Sequence, residues 1–176
     1  WESTYMRWLR EGLSASHVRE YLGLDHLAWL DETDIDTSPR FEIVTIEETD
    51  TYKIERNQWG VTTKNWKPVS TTPQDLDFAI HDPDSWRRAK ERMAPTRDRV
   101  NWDKLRTQYK SWRAEGAWIV AAPWFGFDIV SSRMCGTERI MLAMAEEPEW
   151  CLDMFNSQLD LALALLQMVW DEGYTF

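Results

Sequence analysis

Residues 117–147 read "AWIVAAPWFGFDIVSSRMCGTERIMLAMAEE", and this stretch decides how the rest of the chain is read. "AWIVAAP" is apolar on both faces, as a parallel strand buried under helices must be. Thr137–Glu146 has helical spacing of apolar residues. Between them, the loop Ala122–Glu138 carries Trp124, Phe125, Gly126 and Phe127, then a lone Asp128. A turn needs only small and polar residues. The extra rings and the carboxylate call for another explanation.

Working outward, Pro148–Glu172 is apolar almost all round ("LALALLQMVW") and predicts a long, well-covered helix. "GYTF" then reads as the start of a next strand. Upstream, Asn101 is a plausible N-cap for "WDKLRTQYKSWRAEG", which Gly116 ends. Asp82 caps "PDSWRRAKERM", with Pro83 at the first helical position, and Glu147-Pro148-Glu149 repeats the idiom. Before residue 80 the period changes. "FEIVTIEET", "YKIERNQ" and "VTTKNW" alternate and are rich in β-branched residues, with turns at Asp50-Thr51 and Trp59-Gly60. They predict an antiparallel meander. Lys67–Asp77 is extended, with Pro68 and Pro73. "STYMRWLREGL" predicts a helix closed by Gly12. A second helix is expected over Ser16–Leu22, stopped by Gly23, and "LDETDIDTSPR" reads as a loop.

The helix–strand–loop–helix rhythm after residue 81 suggests successive units of a parallel sheet or barrel. A complete eight-stranded barrel takes about 250 residues, and this chain has 176. The expected fold class is therefore α/β: the N-terminal portion of a (β/α)8 barrel carrying a β-meander insertion. One incomplete domain would span 1–176, with terminal helices and meander in 1–80 and the first β/α units in 81–176. The opening at Trp1 and the close on "EGYTF" read as a piece of a longer polypeptide. Exposed strand edges and an apolar helix would then favour a homodimer.

Composition narrows the partners. Net charge is −10, with 20 basic and 30 acidic residues interspersed. Nucleic acid and anionic membrane surfaces both need a basic footprint that this chain lacks. No run of 18 apolar residues is long enough to span a bilayer. Cys135 and Cys151 form no disulfide framework and suggest a reducing, cytoplasmic setting. Most of the 12 tryptophans are expected to be core or pocket-wall residues.

In order along the chain, "WESTYMRWLREGL", "QWGVTT", "TTPQDLDFAIHDPDSW", "GAWIVAAPWFGFDIVSSRMCGTERIMLAMAEEPEW" and the helix ending "DEGYTF" resemble the N-terminal half of the uroporphyrinogen decarboxylase family. That superfamily also contains cobalamin-linked methyltransferases. The resemblance implies a (β/α)8 barrel with its site at the C-terminal ends of the strands. It also implies a metal- and cofactor-free decarboxylase of a tetrapyrrole or related polycarboxylate. In that setting Trp124, Phe125 and Phe127 wall a planar ligand and Asp128 hydrogen-bonds pyrrole N–H groups or positions a proton. Arg7 and Arg10 of "YMRWLRE" would bind substrate carboxylates, although the family's "YMRQAGR" spaces its arginines four apart. Ser132 stands where the family carries a substrate tyrosine. The family's Asp-Ile-Leu segment has no equivalent here.

Each of these residues also has a plainer reading. Arg7 and Arg10 pair with acidic neighbours on their helix, Asp128 caps the helix beginning "IVSSRM", and Trp124, Phe125 and Phe127 pack in the core. Arg133 and Arg139 are solvated or pair with Glu138 and Glu146, and Cys135 is a small buried hydrophobe. The methyltransferase alternative needs zinc held by a histidine and two cysteines together with cobalamin, and His17, His26 and His81 show no ligand spacing. A third possibility is a ligand-binding protein without catalysis.

Overall fold

The computed structural model describes residues 2–13, 18–31, 33–68 and 72–176. Two short helices, α1 (Glu2–Arg10) and α2 (Val18–Leu22), precede strand β1 (Leu27–Leu30). Strands β2 (Val44–Glu48), β3 (Tyr52–Arg56), β4 (Val61–Trp66) and β5 (Gln74–Phe78) follow. Then come α3 (Pro83–Lys90), α4 (Trp102–Ala114), β6 (Trp118–Ala121), α5 (Phe127–Ile129), α6 (Thr137–Glu146) and α7 (Pro148–Asp171). Among the described residues the architecture is mixed α/β with two open sheets.

The expected meander is present and gains a fourth strand. β2, β3, β4 and β5 are neighbours in that order, all antiparallel. Lys67–Asp77, expected only as extended chain, supplies β5, whose Phe78 and Asp77 pair with Val61 and Thr62. The Asp50-Thr51 turn is closed by the Thr49 hydroxyl, which accepts from the amides of Thr51 and Tyr52.

β6 is parallel, as its apolar run predicts. Its partner is β1, in the register Leu27↔Trp118 through Leu30↔Ala121. The pair is covered on one face only. Ala28, Leu30 and Ile119 are buried, whereas Leu27, Trp29 and Trp118 stand out on the other face, Trp118 with 67% exposure. The expectation of a strand buried on both sides is corrected accordingly, because no described element covers that face.

Capping residues set the helix starts. The Asp82 carboxylate accepts from the Ser85 amide at 2.6 Å, and the Ser85 hydroxyl accepts from the Asp82 amide at 3.0 Å, a reciprocal capping box behind Pro83. Asn101 accepts from the Lys104 amide at 3.1 Å and starts α4. On the core side, α7 buries Met154, Leu161, Leu165 and Val169. Its outer face leaves Leu152, Leu163 and Trp170 exposed, so the helix is half covered rather than enclosed. No helix among the described residues is long and apolar enough to cross a membrane.

At the chain's end "GYTF" does not form the expected strand. Gly173 turns the backbone at φ 89°, and Tyr174 meets Tyr109 edge-on at 5.1 Å. The Thr175 amide donates to the Tyr109 hydroxyl at 3.0 Å. Packing onto α4 takes up the segment that an adjacent strand would have used. Of the expected Ser16–Leu22 helix, Val18–Leu22 is observed; residues 14–17, His17 included, lie outside the described residues.

Candidate functional site

Chain leaving the C-terminal end of a parallel strand is where α/β folds gather ligand-binding residues. Here β1 and β6 both end at such a place. A cleft of about 250 Å³ opens beyond them, lined by Asp31, Thr33 and Thr37 after β1 and by Ala122, Pro123 and Trp124 after β6. Trp59 from the meander closes its far side.

A second cavity of about 420 Å³ shares Trp59 and Trp124 with the first. Its walls come from two places. The meander supplies Asn57, Thr63 and Asp75, and the segment after β6 supplies Asp128, Ser132 and Arg133. The Arg133 guanidinium lies 4.6 Å from the centroid of the Trp124 ring and 5.8 Å from that of Trp59. This cation–π stack joins the two halves of the cavity and fixes where the positive charge sits.

Local backbone sets these positions. Gly126, at φ 78° and ψ −151°, occupies a conformation that only glycine takes readily, and α5 begins from it. α5 then passes into a π-helical turn over Val130–Met134. Such widened turns interrupt the regular ladder and are frequent at functional sites. The Ser132 hydroxyl donates to the Asp128 carbonyl at 2.6 Å, and the Ser131 hydroxyl donates to it at 3.1 Å. Trp124, Asp128 and Ser132, spaced four apart, thereby reach one cavity. Trp59 is positioned from the opposite side, since the Asn57 side chain accepts from the amides of Trp59 at 3.0 Å and Val61 at 3.2 Å.

Of the residues singled out in the sequence, Trp124, Asp128 and Ser132 come together. Asp128 is not the helix cap, because Gly126 holds that position with no side-chain bond. Phe125 and Phe127 follow Trp124 in sequence, are exposed and line neither cleft, so core packing is corrected for both. Trp124, 52% exposed, is a cavity wall rather than core. Arg7 pairs with Glu11 at 2.6 Å and Arg10 donates to the Met6 carbonyl at 3.3 Å, and neither lines these clefts. Arg139, expected to pair with acidic neighbours, donates instead to the carbonyls of Cys135 and Ile80. Sequence reasoning missed Asp75, Trp59 and the role of Arg133. The Trp59-Gly60 turn was visible, but nothing local said that it would face Trp124.

Both cysteines are buried. Burial pushes the Cys135 thiol from 9.0 up to about 12, the Cys151 thiol adding slightly and Arg139 opposing. His26 faces Glu115 at 3.3 Å and His81 faces Asp82 at 3.4 Å. Among the described residues no group of three or more His, Cys, Asp or Glu could hold a metal ion. The raised thiol has a consequence for stability. The unfolded thiol ionises near 9 and the folded one near 12, so the folded state holds the proton more tightly. Its contribution is complete below about pH 9 and is lost as pH rises toward 12. Native protein at pH 8 should leave both thiols unreactive toward a disulfide reagent, with full reaction in denaturant. Rapid native labelling of Cys135 would contradict this burial.

Among known proteins, no family model, no curated protein and no solved structure matches the chain.

Proposed function

We propose that the chain is the N-terminal portion of a uroporphyrinogen-decarboxylase-like (β/α)8 barrel, with the meander as an insertion, and that it binds a tetrapyrrole or related polycarboxylate for decarboxylation. The observation that carries this reading is the convergence of Trp124, Asp128 and Ser132 on one cavity beside the C-terminal end of β6. Trp124 offers a planar wall, Asp128 an acceptor for pyrrole N–H, and Arg133 the cation that Arg7 and Arg10 do not bring to the cavity. In the reaction, the carbon–carbon bond to an acetate carboxylate breaks and carbon dioxide leaves. Its electron pair passes into a ring that has first taken up a proton, and a second proton then turns the exocyclic methylene into a methyl group as the ring releases the first. Asp128, at the ring N–H, would hold the developing positive charge of the protonated pyrrole.

The test is a Soret-band titration of the protein with uroporphyrin, repeated on Asp128→Asn. The expected result is saturable binding that Asp128→Asn weakens by about tenfold, the size of one lost charge-assisted hydrogen bond. A spectrum unmoved by porphyrin would remove the tetrapyrrole. Stoichiometric zinc together with cobalamin binding would replace it with the corrinoid methyltransferase. Porphyrin bound without release of carbon dioxide would leave a binding protein.

A further inference from the structure

The smaller cleft has polar walls that the larger cavity does not share. Thr37 borders it with 4% exposure. The Thr37 carbonyl accepts from Gln158 at 3.3 Å, but its hydroxyl has no hydrogen-bond partner among the described residues. A hydroxyl that deep is normally matched, so an unmatched one points to a group that arrives from outside. Beside it, one Asp31 carboxylate oxygen accepts from the Thr33 amide at 2.8 Å and the Thr33 hydroxyl at 2.7 Å. The other accepts no hydrogen bond among the described residues. Burial opposes ionisation of Asp31, but the Thr33 bonds and the Lys104 charge outweigh it and hold the carboxyl below its ordinary range. The amides of Thr33, Ile35 and Ala122 are already spent on Asp31 and Leu30, and Pro123 has none. These walls therefore ask a ligand for donors.

Charge decides which kind of donor. An anion meets the ionised Asp31. An ammonium competes for indoles that already carry the Arg133 guanidinium, 4.6 Å from the Trp124 centroid. It also approaches Lys104, which donates to the Thr33 hydroxyl and stands 3.1 Å from the Asp34 carboxylate. A neutral polyhydroxyl ring meets neither penalty. Its hydroxyls suit Asp31 and Thr37, and its flat C–H face suits the electron-rich face of an indole. We infer that this cleft binds the ring of a neutral sugar, a pyranose that donates hydroxyls to Asp31 and Thr37 and packs against Trp124. A volume of about 250 Å³ lies below the roughly 300–1,000 Å³ of pockets for drug-sized ligands and takes one ring. Asp31 and Thr37 do not line the larger cavity, so the sugar site is separate from the proposed tetrapyrrole site, although Trp59 and Trp124 border both.

Glucose, glucuronate and glucosamine present one ring in neutral, acidic and ammonium forms, and sorbitol presents the hydroxyls without the ring. Saturation-transfer NMR titration of the whole chain, slightly below neutral pH and at low salt, should show saturable glucose binding. Glucuronate and sorbitol should each be weaker by about tenfold or more, and glucosamine by about threefold. Asp31→Asn keeps an oxygen for the Thr33 amide and should weaken glucose about tenfold, through loss of a charge-assisted bond. Thr37→Val keeps the shape and should weaken glucose about fivefold. It should leave Tm unchanged or higher, since it removes an unmatched buried hydroxyl. Circular dichroism on each variant separates lost binding from lost folding. No saturable glucose binding, glucuronate or glucosamine binding as tightly as glucose, or folded variants that both keep full affinity would each overturn the inference. Porphyrin bound with glucose unbound removes the sugar site alone. Glucose bound with porphyrin unbound removes the tetrapyrrole alone.

Discussion

Arg99→Met is expected to lower the free energy of unfolding by about 4 kcal/mol, near the top of the range for single substitutions. Arg99 is 2% exposed, and its guanidinium is spent on main-chain carbonyls. Nε donates to Ala94 at 2.8 Å and Nη1 to Ser38 at 2.9 Å and Asp36 at 3.0 Å, while Nη2 donates to Arg92. These bonds tie the loop after β1 to the segment that leads into α4. Burial lowers the pKa of Arg99 and the nearby Arg40 charge adds to this, while Asp36 and Asp98 oppose it. Methionine keeps much of the volume and leaves the carbonyls of Asp36, Ser38 and Arg92 without their Arg99 donor, Ala94 keeping the Thr96 amide, each loss costing about 1–3 kcal/mol before water enters. For a chain of this length, about 4 kcal/mol corresponds to a fall in Tm of roughly 8–16 °C. Arg99→Lys keeps a charge but not the fork, and should recover under half. A loss below about 1 kcal/mol in denaturant titration would mean that solvent replaces the clamp. The same loop carries Asp31, Thr33 and Thr37 to the smaller cleft, so the clamp also holds one wall of the candidate site.

Elements specified by near neighbours were legible in the sequence. Asp82-Pro83 and Asn101 announce α3 and α4 because a cap needs only a side chain and an amide three residues on. The meander showed itself through β-branched alternation and its turns. β1 was not legible. "LAWL" is four residues long, and it becomes a strand by pairing with β6 about ninety residues later. Arg99 was equally opaque, since its carbonyl partners come from residues 36, 38, 92 and 94.

The candidate site divides along the same line. Trp124, Asp128 and Ser132 share a spacing of four within nine residues, so one side of the cavity could be read from a short window. The other side, Asn57, Trp59 and Asp75, arrives by the docking of a sheet on a loop, which no local pattern encodes. The turn was visible as Trp-Gly, but its direction was set by packing against Phe41 and Ala79.

That packing makes Gly60→Ala the second large effect expected, about 3 kcal/mol of destabilisation together with lost binding in the larger cavity. Gly60 has φ 85°, where an L-residue costs about 1–2 kcal/mol. A Cβ there would also sit 2.8 Å from the Phe41 ring and 2.9 Å from the Ala79 Cβ, closer than real contacts allow. Overpacking of this kind adds about 1–3 kcal/mol. Phe41 has little freedom to yield, because the Arg92 guanidinium lies over its ring at 4.3 Å. The turn is bonded on both sides, with the Gly60 amide donating to the Asn57 carbonyl and the Ala79 amide to the Gly60 carbonyl, each at 2.9 Å. Movement at residue 60 therefore passes to Trp59, which is 4% exposed and forms the wall between the two clefts. Gly116→Ala is the matched control: φ is 67° there and a new Cβ meets nothing within 4 Å. It should cost only the backbone share, about 1 kcal/mol, and leave ligand affinity alone. Equal destabilisation of the two variants would show that the Phe41–Ala79 contact yields freely. Unchanged ligand affinity in a folded Gly60→Ala protein would show that Trp59 does not set the cavity wall.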